Sequence, residues 1–207
     1  MEFSRQEYWS GYGWTLHHLM NGVAQGTNTV EDLWNYFAKA DTTVEPYAIR
    51  MNFISNHDEN SWSGDEYERM GAAVEAMTAF TYVIPGMPLI YTGQEYGNHH
   101  RLEFFEKDCI DRDENSPMRP LYKRLNDLRE ANPALHSPEL GAKMVRLEAD
   151  NNKVFACARQ AFLPCCREKG LQIINDAEEL ALELQRQVIH PPQLGDSCRA
   201  VLRQAPA

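Results

Sequence analysis

Met51-Asn52-Phe53-Ile54-Ser55-Asn56-His57-Asp58-Glu59-Asn60 is an apolar run that ends abruptly in amide, imidazole and carboxylate groups. Apolar residues let a strand sit inside a core, while a polar cluster at its carboxyl end is available to a ligand. Active sites on parallel strands are built in this way, from residues just past the strand ends. On this reading Tyr47 to Ser55 is a buried strand, and Asn56, His57 and Asp58 are its functional tip. The same residues also fit an Asn/Asp-rich turn that merely starts the next helix.

Downstream comes Pro85-Gly86-Met87-Pro88-Leu89-Ile90-Tyr91-Thr92-Gly93-Gln94-Glu95, a turn, a short apolar strand and a Gly-bounded polar end. The separation of the two stretches fits one strand-helix-strand unit. Together they resemble the alpha-amylase family, glycoside hydrolase family 13, whose penultimate barrel strand ends in F-x-x-N-H-D and whose last strand reads like G-x-P-L-I-Y-x-G-x-E. The matching residues are Phe53, Asn56, His57 and Asp58, then Gly86, Pro88, Leu89, Ile90, Tyr91, Gly93 and Glu95. The resemblance runs from about Gly11 to Arg159, with Asp111 to Ser116 less typical. It implies an α/β fold, the C-terminal portion of a (β/α)8 TIM barrel with its last two strands and their helices, followed by a stub of a β-sandwich. The expected division is an unmatched leader over 1–11, a partial catalytic barrel over 12–137, the start of a C-terminal β domain over 138–160, and an unmatched tail over 161–207 with one amphipathic helix.

At 207 residues the chain is too short for a complete amylase-like enzyme, since an eight-stranded barrel alone takes about 250 residues. Its 43% hydrophobic and 24% charged residues are ordinary for a soluble globular protein. Twenty basic against thirty acidic residues give a formal charge of -10. That charge argues against nucleic acid or an anionic membrane as partner, because either needs a dominant basic patch. A neutral sugar is compatible with it. Five cysteines without a C-x-x-C pair indicate neither a zinc ribbon nor a disulfide framework. No run approaches the ~18 to 20 apolar residues of a membrane span, and Met1 to Gly11 is too polar for a secretory signal.

Met1 to Gly11 has no clear period and reads as an unstructured leader. Trp14, Leu16, Leu19, Met20 and Val23 then recur at helical spacing, and Gly22 and Gly26 end that helix. His17 and His18 inside it point about 100° apart, so they do not converge on a metal as an i, i+4 pair does. Thr29 caps a second helix with Asp32 three residues on, and Val30, Leu33, Trp34 and Phe37 form its apolar stripe. A helix is expected from about Asp65 to Val83, with Asp65, Glu66 and Glu68 in its first turn as helix electrostatics. Asn98 to Asn115 is a charged loop without calcium-loop spacing, read as solvated. Ser116-Pro117 opens another helix and Asn132-Pro133 stops it, with short strands Lys143 to Leu147 and Lys153 to Arg159 beyond. From Gln160 the resemblance fails, and a helix-like segment from Asn175 to Ile189 follows Pro164-Cys165-Cys166.

Retaining glycoside hydrolysis needs two carboxyl groups about 5 to 5.5 Å apart, one as nucleophile and one as acid/base. Its cation-like transition state also rewards a further negative charge and hydrogen bonds to ring hydroxyls. The resemblance implies that Asp58 is that further carboxylate and transition-state stabiliser. It makes His57 and Asn56 sugar ligands, with Tyr91 beside them. Trp62 fits either stacking on a sugar ring or packing on the barrel rim. The family's nucleophile and acid/base have no match here, so the expectation is a retaining alpha-glycosidase lineage acting on alpha-glucan or maltooligosaccharide, with this chain inactive alone. The alternative is a noncatalytic carbohydrate-binding or interaction subunit. No cofactor or metal ligand set is expected; calcium belongs to the full-length family, with its ligands not seen in this sequence. Two strands alone would leave open barrel edges, which predicts self-association or a complementary chain.

Overall fold

The computed structural model describes residues 10–43, 49–136, 143–147, 149 and 151–160. The expectations for residues 1–9, for Tyr47, and for the tail with Cys165, Cys166 and its helix lie outside these residues. The described part is α/β. A parallel sheet has the strand order β1 (Ser10–Tyr12), β2 (Ile49–Asn52), β3 (Met87–Pro88), with Gly11 opposite Arg50, Met51 opposite Met87 and Asn52 opposite Pro88. Between β1 and β2 run α1 (Trp14–Gln25) and α2 (Val30–Thr43); between β2 and β3 run α3 (Glu66–Met70) and α4 (Val74–Val83). Helix α5 (Met118–Ala131) and an antiparallel pair, β4 (Lys143–Arg146) with β5 (Cys157–Gln160), complete the order.

Three differences from the sequence reading have physical causes. The sheet has three parallel strands where two were expected. Ser10 and Gly11, read as leader, join β1 through backbone pairing with β2, and that pairing leaves no hydrophobic period to detect. The strand expected over Tyr47 to Ser55 is shorter, because the ladder stops at Asn52 although Phe53, Ile54, Ser55 and Asn56 are all buried. Only Leu89 N–H, donating to Asn52 O at 2.8 Å, carries the pairing one step further. The single helix expected from Asp65 is broken at Gly71, whose φ of 53° ends α3 before the chain rewinds at Val74.

Helix ends follow local chemistry. Thr29 and Asp32 cap α2 reciprocally: Thr29 N–H donates to Asp32 Oδ2 at 2.8 Å, and Asp32 N–H donates to Thr29 Oγ1 at 3.3 Å. Asp65 caps α3 in a full capping box with Glu68. The turn into β3 requires glycine at 86. There φ is 123°, and a Cβ would lie 2.5 Å from Arg50 O on the neighbouring strand.

The apolar core lies between the sheet and the helices, with Leu16 and Met20 of α1, Trp34 and Phe37 of α2, and Phe80 of α4 all buried. The antiparallel pair is fastened to this core by Phe155, whose ring stacks on Trp34 at a centroid distance of 4.0 Å. Arg146 adds a two-pronged ion pair to Glu31 at 3.0 and 2.7 Å and lies over the Trp34 ring. No helix among the described residues is long and apolar enough to cross a membrane.

Candidate functional site

The tip of β2 forms by a change of environment within a few residues. Phe53 to Asn56 are buried, and His57 then turns outward into a helical turn that becomes π-helical over Glu59–Ser63. Asn56 starts that turn: its Oδ1 accepts Glu59 N–H at 2.8 Å and its carbonyl accepts Asn60 N–H at 2.9 Å. Both readings of the stretch therefore describe the same residues. The turn starts a helical segment, and in doing so it presents His57 and Asp58 with half-exposed side chains 3.6 Å apart. Asn56, expected beside them as a sugar ligand, is only 1% exposed; its Nδ2 has no protein partner, and its Oδ1 is committed to the turn.

Beneath the tip lies a buried polar network that the sequence reading missed. His17 is fully buried, and its ring stacks on Phe53 at 4.6 Å. Its Nδ1 donates to Phe53 O at 3.2 Å, while Asn21 Nδ2 lies 3.0 Å and Glu59 Oε2 3.1 Å from Nε2. Burial is the largest influence on the imidazole and lowers its pKa below 6.5, although Glu59 and Phe53 O pull the other way. Phe53 O, an acceptor, calls for a proton on Nδ1, while Nε2 faces both the Asn21 amide and the Glu59 carboxylate. Arg69 ties the pieces together. It donates from NH2 to Ile54 O at 2.9 Å, from Nε to Gly64 O at 2.9 Å, and from NH1 to Asn21 Oδ1 at 3.0 Å. The strand tip, the π-turn and α1 are thereby held in one arrangement. The available signal was the polar i, i+4 pair His17 and Asn21 on one helix.

A second group of side chains extends outward from the tip. Tyr12 at the end of β1 lies 6.2 Å from His57, and His57 lies 6.2 Å from Phe104. Phe104 meets Trp62 at 5.3 Å and Phe105 at 4.8 Å. Trp62 is 62% exposed, so it leans on other exposed rings instead of packing into the core. Tyr12, Phe104 and Phe105 were not anticipated, although two adjacent phenylalanines in an acidic loop are an unusual pattern. Tyr91 follows β3 at the same end of the sheet as Asp58, since the strands are parallel and Asn52 faces Pro88. Its backbone N–H donates to Gln94 Oε1 at 2.6 Å, and burial raises the pKa of its phenol. No ring contact links it to the Tyr12–Phe105 row among the described residues.

The charged loop is more ordered than its composition suggests. Asp108 accepts from Glu103 N–H at 2.9 Å, Cys109 N–H at 2.7 Å and His100 Nε2 at 2.7 Å, and these donors hold its carboxyl down at about 2. Asn60 and Ser61 of the π-turn bind the backbone of His100 and Leu102. Of the three acids expected only to serve the helix dipole, Asp65 and Glu68 form the cap, but Glu66 is 3% exposed. Burial pushes its carboxyl up to about 7, reinforced by the charge of Asp65. Among the described residues no group of three or more His, Cys, Asp or Glu side chains converges as a metal site would.

No protein-family model matches the chain. The alpha-amylase 2 of Schwanniomyces occidentalis is 32% identical over 94 residues, 44% of this chain and 18% of that protein. The alpha-amylase MalA of Haloarcula japonica is 28% identical over 150 residues, 70% of this chain and 21% of that protein. The chain thus spans about a fifth of the length of these curated relatives. In structure it is similar to an alpha-amylase from Lactobacillus plantarum, with a TM-score of 0.55 and 24% identity over 67% of this chain and 32% of the other. It is also similar to the maltogenic alpha-amylase AmyB from Thermotoga neapolitana, with a TM-score of 0.60 and 19% identity over 69% and 33%. At these identities the structural likeness speaks for the fold alone. Over about 70% of its length the chain is similar to part of an alpha-amylase.

Proposed function

We propose that this segment forms part of an alpha-glucan site of the glycoside hydrolase kind, built on the last staves of a (β/α)8 barrel. The observation that carries the reading is the pair His57 and Asp58, half-exposed at the carboxyl end of the central strand and held from below by His17 and Arg69. A carboxylate so placed can stabilise positive charge developing on a sugar ring, and an imidazole beside it can hydrogen-bond a ring hydroxyl. Preorganisation supports the role, because the buried network fixes the backbone before a ligand arrives. Retention of configuration needs a nucleophile and an acid about 5 to 5.5 Å apart. Glu59, the carboxylate next in sequence, turns to His17 and supplies neither. The proposed activity of this chain by itself is therefore binding without turnover, with turnover requiring carboxylates from elsewhere.

The test uses purified protein with maltooligosaccharide, followed by calorimetry and by product analysis. Binding that weakens at least tenfold in Asp58→Asn, with no released glucose or maltose, is the expected result. Turnover that persists through repurification and vanishes in the variant would refute the binding-only part. Wild-type binding that is indifferent to Asp58→Asn would remove Asp58 from the site.

A further inference from the structure

We infer that Trp62, Phe104 and Phe105 form an aromatic shelf for sugar rings beyond the unit held at Asp58, making the 98–108 loop a determinant of glucan length. The inference rests on the alpha-glucan reading above. Phe105 is 80% exposed, Trp62 62% and Phe104 39%, whereas Trp34, Phe37, Phe80 and Phe155 are all buried. The three rings touch one another in a single exposed patch, Phe104 meeting Trp62 at 5.3 Å and Phe105 at 4.8 Å, and such a patch marks a binding surface.

The patch is held rigidly. Leu102 N–H donates to Asn60 Oδ1 at 2.8 Å, and Ser61 Oγ donates to Leu102 O at 2.6 Å, on the residue before Glu103. Arg101 grips Glu68 at 2.7 and 3.1 Å, and Asp108 closes the loop back on Glu103 and His100. The rings are thus presented with their ordering already accomplished, which favours affinity. The patch is also continuous with the candidate site through the stacked pair His57 and Phe104.

The chemistry selects the occupant. Glu103 and Glu106 flank the rings on a chain of net charge -10, which repels nucleic acid and anionic lipid. A pyranose offers an apolar C–H face to the rings and hydroxyls to the neighbouring carboxylates, and so matches both features.

The experiment compares maltose with maltoheptaose on the 207-residue chain by calorimetry, with the change in tryptophan fluorescence that is lost in Trp62→Phe as a second readout. Wild type is expected to prefer the longer sugar, and Phe105→Ala to reduce that preference roughly tenfold. Phe105→Tyr should retain it, which separates loss of a stacking face from misfolding. An undiminished preference in Phe105→Ala, alongside lost maltose binding in Asp58→Asn, would overturn the shelf and leave the glucan reading intact. Failure of both sugars to bind wild type would overturn both. Dimerisation in sedimentation that depends on Phe105 would assign the patch to a second copy of the chain and overturn the shelf.

Discussion

Replacing Glu66 by glutamine should make the protein more stable, and increasingly so as the pH rises. The carboxyl is 3% exposed and is pushed by burial from 4.5 to about 7. Below pH 4.5 the folded and unfolded chains are both protonated, and the group has no linkage effect. Between pH 4.5 and 7 the unfolded chain releases a proton that the folded chain keeps, so stability is lost as the pH rises through that window. At 1.36 kcal/mol per unit, the loss between pH 5 and pH 8 is about 2.5 kcal/mol. With an m-value of about 1 to 3 kcal/mol per M, it lowers the urea midpoint by roughly 1 to 2 M. Glutamine keeps the shape of the protonated acid and removes the titration. Urea unfolding of wild type and Glu66→Gln at pH 5 and pH 8 should show midpoints that converge at the lower pH and separate at the higher. Two proteins with parallel pH profiles would refute the argument, because the comparison cancels every other titrating group.

His17 titrates with the opposite sense. Its pKa is lowered, so its contribution to stability grows as the pH rises through the window below 6.5. His17→Phe should therefore cost about 1 to 3 kcal/mol at pH 7, by stripping Phe53 O of its donor. In thermal melts the gap to wild type should shrink at pH 5; a gap that widens on acidification would contradict the lowered pKa. Gly86→Ala meets a φ of 123° and a carbonyl oxygen 2.5 Å from the new methyl group. It should lower stability by about 2 kcal/mol or more, and a melting temperature within a degree of wild type would count against the strain.

The charged helix starts, the glycine-bounded turns and the polar tip at residues 56–58 were legible in the chain, because each depends on neighbours a few positions away. Thr29 with Asp32 and Asp65 with Glu68 are caps that any helix of that sequence would use. The organising strand was legible in kind, since only a core position suits Phe53 and Ile54, but its end was not. Asn52 is the last residue in the ladder because the neighbouring strands stop pairing there. Strand β1 escaped notice for the same reason, being defined by its partner and by no pattern of its own.

The site divides along the same line. Asp58 and His57 were expected at the strand tip from the sequence motif, but what holds them there was decided by packing. Arg69 and His17 reach the tip from helices distant in sequence, and Glu66 is an ordinary first-turn acid until folding excludes water from it. The aromatic row likewise joins Tyr12, His57 and Phe104 from three separate segments. Local order follows from covalent neighbours and is written in the chain; burial, electrostatic shift and the convergence of side chains arise only when distant segments share one volume from which solvent is removed.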